Sequence, residues 1–104
     1  MDLSEIREKI NLVDDQLLDL FLQRMDLAEE VAAYKNEHNQ PILNKTRERE
    51  ILAKVMEKAG DREQYAYHLF STLMELSRSR QEQLLRGSRA AGLTDPTLSD
   101  QFKE

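Results

Sequence analysis

The sequence predicts an all-α protein with three helices per chain, a long first helix, and assembly as a helical homodimer. Three observations carry this. Apolar residues recur at the three-and-four spacing of a single helix face in each segment up to about residue 86. Within that stretch only Pro41 and Gly60 interrupt the chain. Finally, 34% of the 104 residues are charged and 39% hydrophobic, without Trp, a mixture that suits water-exposed helices around a modest core.

Each element follows from its own signals. Ser4 or Asp2 can cap a first helix running to about Glu37, with Ile6, Ile10, Val13, Leu17, Leu20, Leu27, Val31 and Tyr34 at helical spacing. Asn36 to Pro41 supplies the stop, since proline restricts the residue before it. A second helix starts near Asn44 to Thr46, either of which can cap it, and runs to Ala59. Gly60 and Asp61 mark a turn, and the third helix covers about Glu63 to Leu85. Beyond Arg86 the composition shifts, with Gly87, Gly92 and Pro96 among small and polar residues. Residues 1–86 therefore form the domain and 87–104 a flexible tail or linker stub.

Helix lengths bear on assembly. A first helix of about 33 residues spans ~50 Å, against a radius of gyration near 13 Å for a compact chain of this size. Helices two and three can fold back along it, but part of its apolar stripe stays open. A second copy closes that stripe, which predicts a two-fold symmetric dimer with the long helices side by side.

Composition narrows the function classes. The formal net charge is −5, which excludes a general nucleic-acid binder. Cysteine is absent, excluding disulfides and thiolate chemistry and pointing to a reducing cytoplasm. The N-terminal residues lack the basic and apolar regions of a signal peptide. No apolar run approaches the roughly 20 residues of a membrane span, so no membrane partner is expected. His38 and His68 are isolated and lack metal-ligand spacing, so no metal site is expected.

The informative residues are charges set inside apolar stripes. At about 100° per residue, Arg24 and Lys35 fall within the arc of Ile6, Ile10, Val13, Leu17, Leu20, Ala28 and Val31, while Arg7 lies toward its edge. Long cationic side chains often snorkel from the border of a stripe. That suits Arg7 and suits Arg24 poorly, because apolar neighbours flank it on both sides. Helix two repeats the pattern: Glu48 points into the face of Ile51, Leu52, Val55 and Ala59, with Asn44 one turn earlier and Arg47 at the flank. On helix three, Ser77 and Gln81 share the arc of Phe70, Leu73, Met74 and Leu84, with Arg80 close by. Buried polar groups need partners, and the surplus of cationic donors selects an anionic ligand. Arg24 and Lys35 are separated by a rise of ~16 Å and can share one ligand; Arg7 lies ~25 Å from Arg24 on the same helix and cannot. An antiparallel partner helix can bring its own Arg7 to the site.

These residues resemble the all-helical, type II, chorismate mutase family. The likeness runs from Ile6-Arg7-Glu8-Lys9-Ile10, with Asp14, Leu17 and Leu18, through Arg24-Met25-Asp26-Leu27-Ala28, Val31 and Lys35. It continues in Pro41-Ile42, Arg47-Glu48-Arg49-Glu50, and Ser77 with Gln81, covering about residues 3 to 85. The resemblance implies an intertwined dimer that rearranges chorismate to prephenate in aromatic amino-acid biosynthesis, with no cofactor and no covalent intermediate. It assigns Arg24, and Arg7 of a second chain, to substrate carboxylate, Lys35 and Gln81 to the ether oxygen, and Glu48 to the ring hydroxyl. Arg47 and Ser77 complete the carboxylate and hydroxyl contacts. Lys35, Gln81 and Arg24 are then the catalytic residues. Asn44 stands where relatives often carry Asp, and serves either the ring hydroxyl or the helix cap. The resemblance also allows a fused or associated prephenate-processing or shikimate-pathway enzyme. Two alternatives remain: an isochorismate pyruvate lyase, and a non-catalytic helical dimerisation or regulatory module of a larger enzyme.

Overall fold

The computed structural model describes residues 2–89, and apart from Asp2 and the connection at 38–44 all of them are helical. Helix α1 spans Leu3–Glu37 and α2 spans Lys45–Ala59; a 3-10 turn at Gly60–Arg62 leads into α3, Glu63–Arg89. The three expected helices are present, and no strand occurs among the described residues.

Local chemistry sets the ends. Asp2, rather than Ser4, caps α1: its carboxylate accepts from the Glu5 N–H at 2.9 Å. At the other end Asn39 adopts a left-handed φ of 54°. The Gln40 N–H then donates to the Lys35 carbonyl at 2.8 Å and the Asn39 N–H to that of Asn36 at 3.4 Å. This pair of bonds is a Schellman cap, with asparagine tolerating the conformation that glycine usually supplies. His38 backs the cap, its Nδ1 donating to the Tyr34 carbonyl at 2.8 Å while its ring stacks on Tyr34. Helix α2 ends at Gly60, whose φ of 61° suits a residue without a β-carbon.

The third helix continues four residues beyond Leu85, passing through Gly87 to Arg89. The domain boundary expected at 86 therefore falls inside α3, and residues 90–104 of the expected tail lie outside the described residues. A helical glycine costs only about 1 kcal/mol relative to alanine, so Gly87 alone does not stop a helix.

Packing is concentrated at one end. Helix α3 packs against both α1 and α2. The buried residues are Ala28 and Ala32 of α1 and Met74 and Gln81 of α3. The small alanine side chains let α3 lie close to the C-terminal half of α1. An ion pair from Arg80 Nη2 to Glu29 Oε1, at 2.9 Å, ties the same two helices together. The N-terminal half of α1 has no such cover. Ile10, Val13, Leu17 and Leu20 are each more than half exposed. The described chain is accordingly elongated, 56 × 30 × 20 Å with a radius of gyration of 17.1 Å. No helix among the described residues is long and apolar enough to cross a membrane.

Candidate active site

Where the three helices meet they enclose a cleft of about 300 Å³. Each contributes one stretch of its inward face. Helix α1 supplies Arg24, Leu27, Ala28, Val31 and Lys35; the connection and α2 supply Ile42, Asn44, Arg47, Glu48 and Ile51; α3 supplies Met74, Ser77, Arg78 and Gln81. Seven of the eight substrate residues expected from sequence therefore line one cavity. The eighth, Arg7, does not: it is exposed near the start of α1, some 17 residues or ~25 Å of helix before Arg24.

The cavity is apolar between its charges. Leu27, Val31, Ile42, Ile51 and Met74 form walls, while four cations, Arg24, Lys35, Arg47 and Arg78, stand against one carboxylate, Glu48. Three ion pairs occur among the described residues, and neither Arg24 nor Lys35 takes part in any of them. Lys35 donates to the Ile42 carbonyl at 2.6 Å, which anchors its ammonium to the loop that the Schellman cap turns back. That single backbone contact leaves two of its three N–H donors for other acceptors. Arg47 reaches outward to Glu50 at a loose 3.7 Å, and both side chains are largely exposed, so the pairing is worth little.

Gln81 is 5% exposed. Its Nε2 donates to Ser77 Oγ at 3.1 Å, one turn earlier on α3, while its Oε1 is buried without a partner. An unpaired buried polar atom costs stability, so this amide carries hydrogen-bonding capacity that the free chain does not use. Asn44 resolves in part: its Oδ1 caps α2 by accepting from the Arg47 N–H at 3.0 Å, and the residue also borders the cavity.

Two arginines on α3 take different roles. Arg80, expected close to the arc that holds Ser77 and Gln81, is half-buried in an ion pair with Glu29 of α1 and lies outside the cavity. Arg78, absent from the expected set, lines it and binds both carboxylate oxygens of Glu48 through Nη1. Its signal was present in the spacing, because Met74, Ser77, Arg78 and Gln81 follow the three-and-four pattern of one helix face.

A second, larger hollow of about 510 Å³ lies beside the middle of α1, walled by Leu17, Leu18, Leu20, Phe21, Leu69, Phe70 and Leu73. Only Arg24 brings a charge to it, so it is poorly suited to an anion and well suited to an apolar helix.

Comparison with known proteins gives the same grouping. The family model for chorismate mutase type II matches residues 6–82. The chorismate mutase of Methanocaldococcus jannaschii is 34% identical over 86 residues, covering 80% of this chain and 87% of that protein. A bifunctional chorismate mutase/prephenate dehydratase of Buchnera aphidicola is 31% identical over 83 residues, which cover 77% of this chain and 22% of that protein. With a family match over most of its length and a relative matched nearly end to end, this chain belongs to the type II chorismate mutase family.

Proposed function

We propose that the protein is a chorismate mutase that rearranges chorismate to prephenate, acting as a homodimer in which each site is completed by Arg7 of the other chain. The observation that carries this reading is the cleft itself. It gathers unpaired cations, one carboxylate and a buried amide with spare hydrogen-bonding capacity around apolar walls. A compact dianion with a ring hydroxyl and an ether oxygen matches that set group for group.

The reaction is an isomerisation in which the ether C–O bond breaks as a C–C bond forms. No group leaves and no cofactor is required. Catalysis reduces to holding the reactive conformer and stabilising the negative charge that grows on the ether oxygen. Arg24 offers a planar fork to a carboxylate, and Arg47 lies within reach on α2. Lys35 offers a compact charge to the ether oxygen. Gln81 supplies the second donor by a half-turn of its amide: Ser77 then donates to Oε1 and Nε2 is left to find an acceptor. Glu48 accepts from the ring hydroxyl, beside Ser77 and Asn44.

The dimer follows from the open half of α1. Antiparallel α1 helices bring the second chain's Arg7 beside Arg24 when the two-fold axis crosses α1 midway between those residues, near Asp15 and Gln16. The exposed apolar run from Ile6 to Leu27 is centred within a turn of that point. One register thus covers the stripe and completes both sites. A cytoplasmic setting, and an associated or fused enzyme that consumes prephenate, belong to the same reading.

The test is direct. Purified protein should deplete chorismate, followed by its ultraviolet absorbance, and form prephenate. Release of pyruvate from isochorismate with chorismate left intact would instead identify a lyase, and inertness toward both would leave a structural module.

A further inference from the structure

The Glu48–Arg78 pair raises a chemical problem that the proposed reaction makes sharp. A site built for a dianion has to exclude anionic side chains, yet Glu48 faces the cavity. An uncompensated carboxylate there would repel both carboxylates of the ligand. Arg78 answers this from the opposite wall. Its Nη1 lies 2.5 Å from each Glu48 oxygen, across 30 residues of sequence and from α3 to α2. The two side chains are 29% and 23% exposed, which makes this the most enclosed of the three ion pairs among the described residues.

The geometry points to Arg78 as a positioning residue that neutralises and aims Glu48, turning an anion into a charge-balanced hydrogen-bond acceptor for the ring hydroxyl. An ionised carboxylate has about four lone-pair positions, and Arg78 occupies one on each oxygen. The remaining positions stay open toward the cavity. The pair presents acceptors without net negative charge, while Arg24 and Lys35 keep their full charge for the anionic parts of the ligand. Arg78 is carried on the same helix face as the buried Met74 and Gln81, so the packing that fixes Gln81 also fixes the guanidinium. Recognition of the hydroxyl and of the ether oxygen is thereby tied to one rigid face of α3. The inference rests on the chorismate reading.

Suppression tests it. Arg78→Met should raise KM for chorismate about tenfold or more with a smaller fall in kcat, because an unpaired Glu48 opposes ground-state binding of the dianion. Adding Glu48→Gln to that variant should restore most of the loss, since a neutral isostere keeps an acceptor and needs no counter-ion. Were Arg78 to bind substrate itself, or only to support the fold, the second substitution would leave the variant as poor or make it poorer, and the inference would be overturned. If Arg78→Met fails to fold by circular dichroism, Arg78→Gln carries the same comparison while keeping a donor to Glu48. Wild-type protein inert toward chorismate would defeat the proposed reaction. An active wild type without suppression would defeat the role of Arg78 alone.

Discussion

Arg7→Ala and Lys35→Ala chains, each nearly inactive by itself, should recover about a quarter of wild-type activity when unfolded together in equal amounts and refolded. The figure follows from where the residues sit. Lys35 lines the cleft, whereas Arg7 lies ~25 Å of helix from Arg24 and cannot enter the cleft of its own chain. In a dimer that exchanges Arg7, a heterodimer has one site with both residues intact, Lys35 from the Arg7→Ala chain and Arg7 from the Lys35→Ala chain. Its other site lacks both. Random pairing makes about half of the dimers heterodimers, so about one site in four is intact. The background is low, because removing a donor aimed at charge that develops in the transition state costs about a hundredfold. The assay is the loss of chorismate absorbance after refolding, with two affinity tags used to isolate the heterodimer. Isolated heterodimers should show about half of wild-type activity. Heterodimers no better than the parent variants would show that Arg7 acts within its own chain or not at all.

Two further outcomes test the interface and the cap. Leu17→Glu places a carboxylate in the middle of the open stripe of α1, where burial of an unpaired charge costs several kcal/mol; sedimentation should find monomers, with activity lost in parallel. A variant that stays dimeric and active would mean that this stripe is not the interface. Asn44→Ala removes the acceptor for the Arg47 N–H and should lower stability by about 1 kcal/mol, whereas Asn44→Asp keeps the cap and sets a negative charge at the α2 N-terminus. Thermal melts at matched protein concentration check this, and an alanine variant as stable as the aspartate one would show the cap to be dispensable.

What the sequence made legible, and what it did not, divides along a physical line. Helix ends are local events. Asp2, Asn44 and Gly60 act within a few residues of themselves, so each boundary could be read from neighbours in the chain. The choice of Asp2 over Ser4 is the exception, because either side chain can accept from an N–H two or three residues on and only geometry decides. The residues that line the cleft were legible for a related reason: a polar side chain in an apolar arc announces that its face is covered, whatever covers it. That logic found Arg24, Lys35, Glu48, Ser77 and Gln81. It failed between Arg78 and Arg80, which lie two positions apart and therefore point some 160° away from each other. The carboxylates that claim them, Glu48 and Glu29, stand on different helices at distances of 30 and 51 residues. Periodicity defines a face but not the element opposite it. The same limit explains the open half of α1. Its stripe from Ile6 to Leu20 has the spacing of a buried helix, yet no element among the described residues buries it. A stripe that the chain itself does not cover is what the proposed dimer would cover, and the same antiparallel register would deliver Arg7. In the proposed dimer, assembly and chemistry are one constraint on α1: a two-fold axis away from Asp15 and Gln16 would neither cover the apolar stripe nor bring Arg7 to the cleft.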